Sequence, residues 1–138
     1  MSYCTRQDME SRFNENELIQ LTDHDNLGII DDTVLNLAIS DASAEIDGYL
    51  GKYTLPLSIV PTVLVRSCAD IARYFLYDDQ VPDQVEKRYE AILKYLSLVS
   101  KGDINLGLDE SGNQPVHDNG VVMTSGGRVF TRADKGFI

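Results

Sequence analysis

A chain of 138 residues with 43% hydrophobic and 25% charged residues is long enough for one real core and too ordinary in composition for a disordered or fibrous protein. Its formal charge of −10 is uneven: residues 1–51 set two bases against eleven acids (−9), residues 52–102 seven against six (+1), and residues 103–138 three against five (−2). No segment has the basic footprint that neutralises phosphates, and no run nears the roughly 18 apolar residues of a membrane span, so the expectation is a soluble protein that binds neither nucleic acid directly nor membrane.

The elements follow in chain order. Thr5 can cap a short helix that Phe13 closes, and residues 16–21 give one or two further turns before a polar loop over 22–32. Leu35, Ala38, Ile39, Ala42, Ile46, Tyr49, Leu50 and Tyr53 recur at intervals of three and four, one stripe down a third helix capped by Asp31 or Asp32. Pro56 and Pro61 break it into a rigid extended connector. Pro61 suits the first position of the next helix, where Leu64, Val65, Cys68, Ala69, Ile71, Ala72, Phe75 and Leu76 make a face too broad for a surface helix; this is expected to be the central one. Asp83 with Glu86 resembles a capping box for a fifth helix carried by Val85, Tyr89, Ile92, Leu93, Leu96 and Val99, with Lys101-Gly102 as its stop.

Beyond Gly102 the glycines at 107, 112, 120, 126 and 127 interrupt the chain, and the β-prone stretches 121–124 and 128–131 flank Ser125-Gly126-Gly127, a possible hairpin. The fold class is therefore mainly α: a bundle of four or five helices over residues 1–102, followed by a Gly-rich C-terminal extension, 103–138, expected to order on assembly.

Chemical motifs are sparse. Asp23, Asp25, Gly28 and Asp31 fall at EF-hand loop positions, but Leu27 replaces an oxygen ligand and Val34 stands where a bidentate Glu should close the sphere. Cys4 and Cys68 form no CxxC or Cys/His pattern, so no metal site is expected, and Cys68 reads as a small buried hydrophobe in a reducing compartment. His24 and His117 lie in polar loops. His117-Asp118 with Ser111 or Ser125 lacks a nucleophile elbow, and Asp31-Asp32 and Asp78-Asp79 stand where caps and turns belong. Gly126-Gly127 lacks the lysine of a phosphate loop, so no cofactor is expected and the chain reads as non-enzymatic. The tyrosines at 49, 53, 74, 77, 89 and 95 are placed on the three long helices, where such rings suit half-buried or interface positions; Tyr53, beside Leu55-Pro56-Leu57, is the preferred interface candidate.

The succession Ile46-Asp47-Gly48-Tyr49-Leu50, Tyr53-Thr54-Leu55-Pro56-Leu57, Val60-Pro61 and Ala69-Asp70-Ile71-Ala72-Arg73-Tyr74 resembles a family of Mu-like phage and prophage proteins of similar length. The likeness continues through Arg88-Tyr89 and Lys101-Gly102 to Gly127-Arg128-Val129-Phe130-Thr131-Arg132. It implies a place in phage morphogenesis and similarity to helical head-completion or head-tail connector proteins, which form rings below the portal. Implied partners are further copies of the chain in a homo-oligomeric ring, the portal and tail-side proteins. The implied location is the head-tail junction of a virion assembled in the bacterial cytoplasm.

Connector-like proteins hold neighbours with loops and termini, which makes Leu55, Leu57 and Ile59 in the connector, and Arg128, Phe130, Arg132 and Phe137 in the extension, the matching interface residues. An alternative from another class is an acidic decoy that imitates DNA to occupy a host DNA-binding protein. The third helix supplies only Asp41, Glu45 and Asp47 after its cap for that purpose.

Overall fold

The computed structural model of the protein describes residues 2–77 and 80–108. Five helices follow one another, α1 (Arg6–Arg12), α2 (Glu15–Thr22), α3 (Asp32–Tyr49), α4 (Thr62–Leu76) and α5 (Asp83–Lys101), with no strand among the described residues. The chain is mainly helical, as its apolar periodicity predicts.

Local chemistry sets the boundaries. Thr5 and Asp8 form a reciprocal capping box: the Asp8 amide donates to Thr5 Oγ1 at 3.2 Å, and the Thr5 amide to Asp8 Oδ2 at 2.9 Å. Asn14 caps α2, accepting from the Asn16 amide at 2.8 Å. Of the two acids before α3, Asp31 is the cap, accepting from the Thr33 amide at 2.9 Å. Gly102 ends α5 in the left-handed conformation (φ 86°) and donates to the carbonyls of Leu98 and Val99, a geometry that costs glycine least.

Three expected boundaries move. The helix α3 stops at Tyr49, not Tyr53; Gly48 and Gly51 weaken helix there, and a turn in which the Tyr53 amide donates to the Leu50 carbonyl (3.0 Å) carries Tyr53 inward instead. Pro61 caps α4 from outside, with φ −61° and ψ 146°, so Thr62 is the first helical residue. The capping box expected at Asp83 and Glu86 does not form. Pro82 occupies the cap with ψ 143°, and both acids fall inside the first turn, where they still complement the helix dipole.

The helix α4 is the hub, packed against α1, α3 and α5. It buries Leu64, Ser67, Cys68, Ala69, Asp70, Ile71, Ala72 and Leu76, and α3 answers with Leu35, Ala38, Ile39, Ala42 and Ile46. The buried layer continues past Gly102: Leu108 is buried and Ile104 and Leu106 pack against the core. The helical unit thus draws on residues to 108, six beyond the expected limit. The hairpin expected within 121–131 lies outside the described residues, as does the rest of the extension from 109.

Candidate assembly surfaces

The connector between α3 and α4 divides its apolar residues. Tyr53 and Leu57 turn into the core, whereas Leu55 and Ile59 stay exposed. Tyr53 and Leu57, expected as interface residues, are buried within the chain and anchor the loop; residues two apart would share one side of an extended segment, so the bends of the connector, not strand alternation, separate them from Leu55 and Ile59. Arg128, Phe130, Arg132 and Phe137 lie outside the described residues, as do His117 and Asp78-Asp79.

A second apolar surface was not anticipated. In the loop between α2 and α3, Asp23 uses both carboxylate oxygens to accept backbone amides, from Leu27 at 2.8 Å and Gly28 at 2.7 Å. Asn26 (φ 60°) and Gly28 (φ 77°) take left-handed conformations that let the chain wrap round that carboxylate. The EF-hand-like spacing thus builds a loop stapled by its own acid. Its consequence is that Leu27 and Ile29 project outward, 69% and 60% exposed, beside a shallow cavity of about 250 Å³ lined also by Asp23, Asp31 and Asp32. On the first half of α3, Leu37 is 63% exposed and borders a hollow of about 170 Å³ with His24, Val34, Asp41 and Phe75. Sequence periodicity does flag Leu37 as off the α3 stripe; Leu27 and Ile29 carried no such signal.

Polar links brace the bundle around these surfaces. Glu17 of α2 accepts from Arg73 Nε at 3.0 Å and Nη2 at 3.2 Å, and from the Tyr77 hydroxyl, while the Arg73 guanidinium lies 4.7 Å from the centre of the Phe13 ring. This half-buried, bidentate pair fixes α2 to the end of α4. Tyr74 and Tyr89 stack with centroids 3.9 Å apart, and the Tyr89 hydroxyl bonds to both carboxylate oxygens of Glu45, at 3.1 and 3.2 Å.

Burial, then the charge of Glu45 and its hydrogen bond, push the Tyr89 hydroxyl up to about 12. A folded value above the unfolded one near 10 means this group's stabilisation is complete below pH 10 and is lost as pH rises to 12. Tyr89→Phe should cost about 1 kcal/mol near neutrality and show a shallower stability loss between pH 10 and 12 than the native chain, read by urea denaturation at stepped pH.

Two ionisable groups on α4, Asp70 and Cys68, are buried. Asp70 is 7% exposed at the floor of a groove of about 330 Å³ between α4 and α5, flanked by Arg66 and Arg88. Burial raises its carboxyl above the usual range, and the positive charges of Arg88, Arg66, Arg73 and Arg12 oppose that rise. A raised folded value contributes stability at low pH that is lost as the acid ionises, so ionised Asp70 weakens the fold at neutrality. Asp70→Asn should accordingly stabilise the protein at pH 7, with the gain shrinking toward pH 4; thermal melts at the two pH values check it. Cys68 meets Cys4 at 3.2 Å between sulfurs, with Ser43 Oγ at 3.5 Å. Both thiols are buried, and Cys4, donating to Cys68 in a water-poor site, has its pKa raised.

Among the described residues, no three His, Cys, Asp or Glu side chains converge as metal ligands, and no helix is long and apolar enough to cross a membrane. What the geometry offers is surface: two exposed aliphatic patches on a braced helical body.

Comparison with known proteins gives this body a family. The family described as Bacteriophage Mu, Gp36 matches residues 3–125. The Mu-like prophage FluMu protein gp36 of Haemophilus influenzae is 38% identical over 138 residues, covering 99% of this chain and 98% of its own length. Gene product J of Escherichia phage Mu is 35% identical over 141 residues, covering both chains completely. With the match running from Tyr3 through all five helices and the surfaces above, the chain belongs to the bacteriophage Mu Gp36 family.

Proposed function

We propose that this Mu-like phage protein is a non-catalytic structural subunit of the particle, built into the head-tail junction as a connector or head-completion component. The observation that carries the reading is the exposure of Leu27, Ile29, Leu37, Leu55 and Ile59 on a body otherwise closed by internal caps and ion pairs. Large aliphatic side chains left in water are favourable sites for a partner to cover, and a bundle braced by the Glu17–Arg73 pair offers them on a firm frame. The acids of the front half support assembly over charge mimicry: Asp8, Asp23, Asp31, Glu17, Glu45 and Asp47 are engaged in caps and hydrogen bonds within the chain.

Particles purified from the phage that encodes the chain test this reading. The protein should be present in several copies per virion by quantitative mass spectrometry and should label the head-tail junction in electron micrographs. Its absence from purified particles would overturn the proposal, and recovery with a host DNA-binding protein would favour the decoy.

A further inference from the structure

We propose that Leu27, Ile29 and Leu37, with their rim of acids, form the docking site for the C-terminal residues 128–138 of a second copy of this chain. The proposal deepens the assembly reading and rests on it only in treating the chain as a subunit that meets its own copies.

Charge and apolar content match. Residues 23–41, which build the patch, contain Asp23, Asp25, Asp31, Asp32 and Asp41 and no lysine or arginine. Asp25, Asp32 and Asp41 are exposed; Asp32, which also pairs with Arg6, lines the hollow beside Leu27 and Ile29, and Asp41 lines the one beside Leu37. The last twenty residues reverse that balance, with Arg128, Arg132 and Lys135 against Asp134, and they interleave the bases with Val129, Phe130, Phe137 and Ile138. An acidic, aliphatic surface and a basic, aromatic segment within one sequence are complementary in both sign and solvent preference.

Placement leaves a neighbour within reach of the segment. The patch sits on the loop entering α3 and on that helix's first half. The chain leaves α5 at Gly102, close to the Lys52 ammonium just beyond the other end of α3. An 18-residue helix is about 27 Å long, so the patch and the point where the chain leaves α5 lie toward opposite ends of α3. Between Leu108 and Arg128 run 19 residues, which span up to about 60 Å when extended, ample to cross to an adjacent copy. Two different patches meeting in this way make a head-to-tail interface, the kind that closes a ring when the rotation permits.

The test uses full-length chains in sedimentation and light scattering. The native chain should associate with rising concentration, and the association should weaken by about tenfold or more in dissociation constant as salt is raised from low to high. Leu37→Asp lacks the acceptor, and Arg128→Glu combined with Phe130→Ala lacks the donor. Each alone should stay monomeric, while their equimolar mixture should form a heterodimer and stop, because one donor and one acceptor remain.

Far-ultraviolet circular dichroism, unchanged for Leu37→Asp at this exposed site, separates docking loss from unfolding. A native chain that is monomeric up to about 1 mM, or a mixture that behaves as the sum of its parts, overturns the docking. The first of these results would also be given by a tail folded back on its own subunit. Virion incorporation of the native chain, scored separately, tells failure of this contact from failure of the assembly reading.

Discussion

Replacing Ala72 by aspartate is expected to abolish the fold. Ala72 lies within α4, the helix packed against both α3 and α5, and is fully buried. Burying an unpaired charge costs several kcal/mol, comparable with the 5–15 kcal/mol that a domain of this kind has in total. The same helix shows what tolerance requires. Asp70, two residues earlier, survives burial because it sits at the floor of a groove with Arg66 and Arg88 on its walls, and even there ionisation is disfavoured. Ala72→Asp should therefore be recovered in inclusion bodies or, if soluble, lack a cooperative thermal transition. Ala72→Ser, which adds a hydroxyl able to bond the preceding turn, should fold with a loss of about 1–2 kcal/mol. A soluble, cooperatively melting Ala72→Asp chain would remove α4 from the centre of the protein.

How much of this was legible depended on the range of the interaction. The stripes of α3, α4 and α5 repeat every three to four residues, and burial follows them at Leu35, Ile39, Ile46, Leu64, Ile71, Leu96 and Val99. Tyr53 extended the α3 stripe in register, yet a turn after Gly51 delivers its ring to the core by another route: periodicity identifies which residues are buried more reliably than what backbone carries them. Asp83 and Glu86 had the spacing of a capping box, but spacing does not say which residue is the cap, and Pro82, fixed in an extended conformation, took that place.

Contacts between distant segments were beyond local pattern. Nothing near Cys4 points to Cys68, 64 residues away, and nothing near Glu17 points to Arg73. In the EF-hand-like loop Asp23 accepts backbone amides and Asp31 caps α3, while the outward turn of Leu27 and Ile29 follows only from the loop geometry itself. The interface residues named from family likeness divide accordingly. An extended reading of the connector would put Tyr53, Leu55, Leu57 and Ile59 on one side, and only the bends of the folded loop separate the buried pair from the exposed pair.

Loss of residues 121–138 should leave the helical body folded and remove it from particles. Among the described residues, the cluster of buried side chains that α4 organises runs from Tyr3 through Leu108, and all of these remain after the deletion. The thermal midpoint should change by no more than a few degrees, equivalent to about 1 kcal/mol or less. Function should respond differently. The deleted segment carries Val121, Val122, Met123, Val129, Phe130, Phe137 and Ile138 together with all three bases of the extension, Arg128, Arg132 and Lys135. In a chain of net charge −10, these are the groups best suited to meet the acidic face of a neighbour. Aromatic and arginine side chains also dominate interface energetics, so Phe130→Ala should weaken assembly by about tenfold or more while leaving the melt unchanged. Complementation of a phage lacking the gene decides the matter, with infectious titre as the readout and tailed-particle counts as its structural counterpart. The truncated chain should lower titre by orders of magnitude with normal protein abundance. If it instead supports tailed, infectious particles at the native level, residues 121–138 are dispensable and the assembly role assigned to them is wrong.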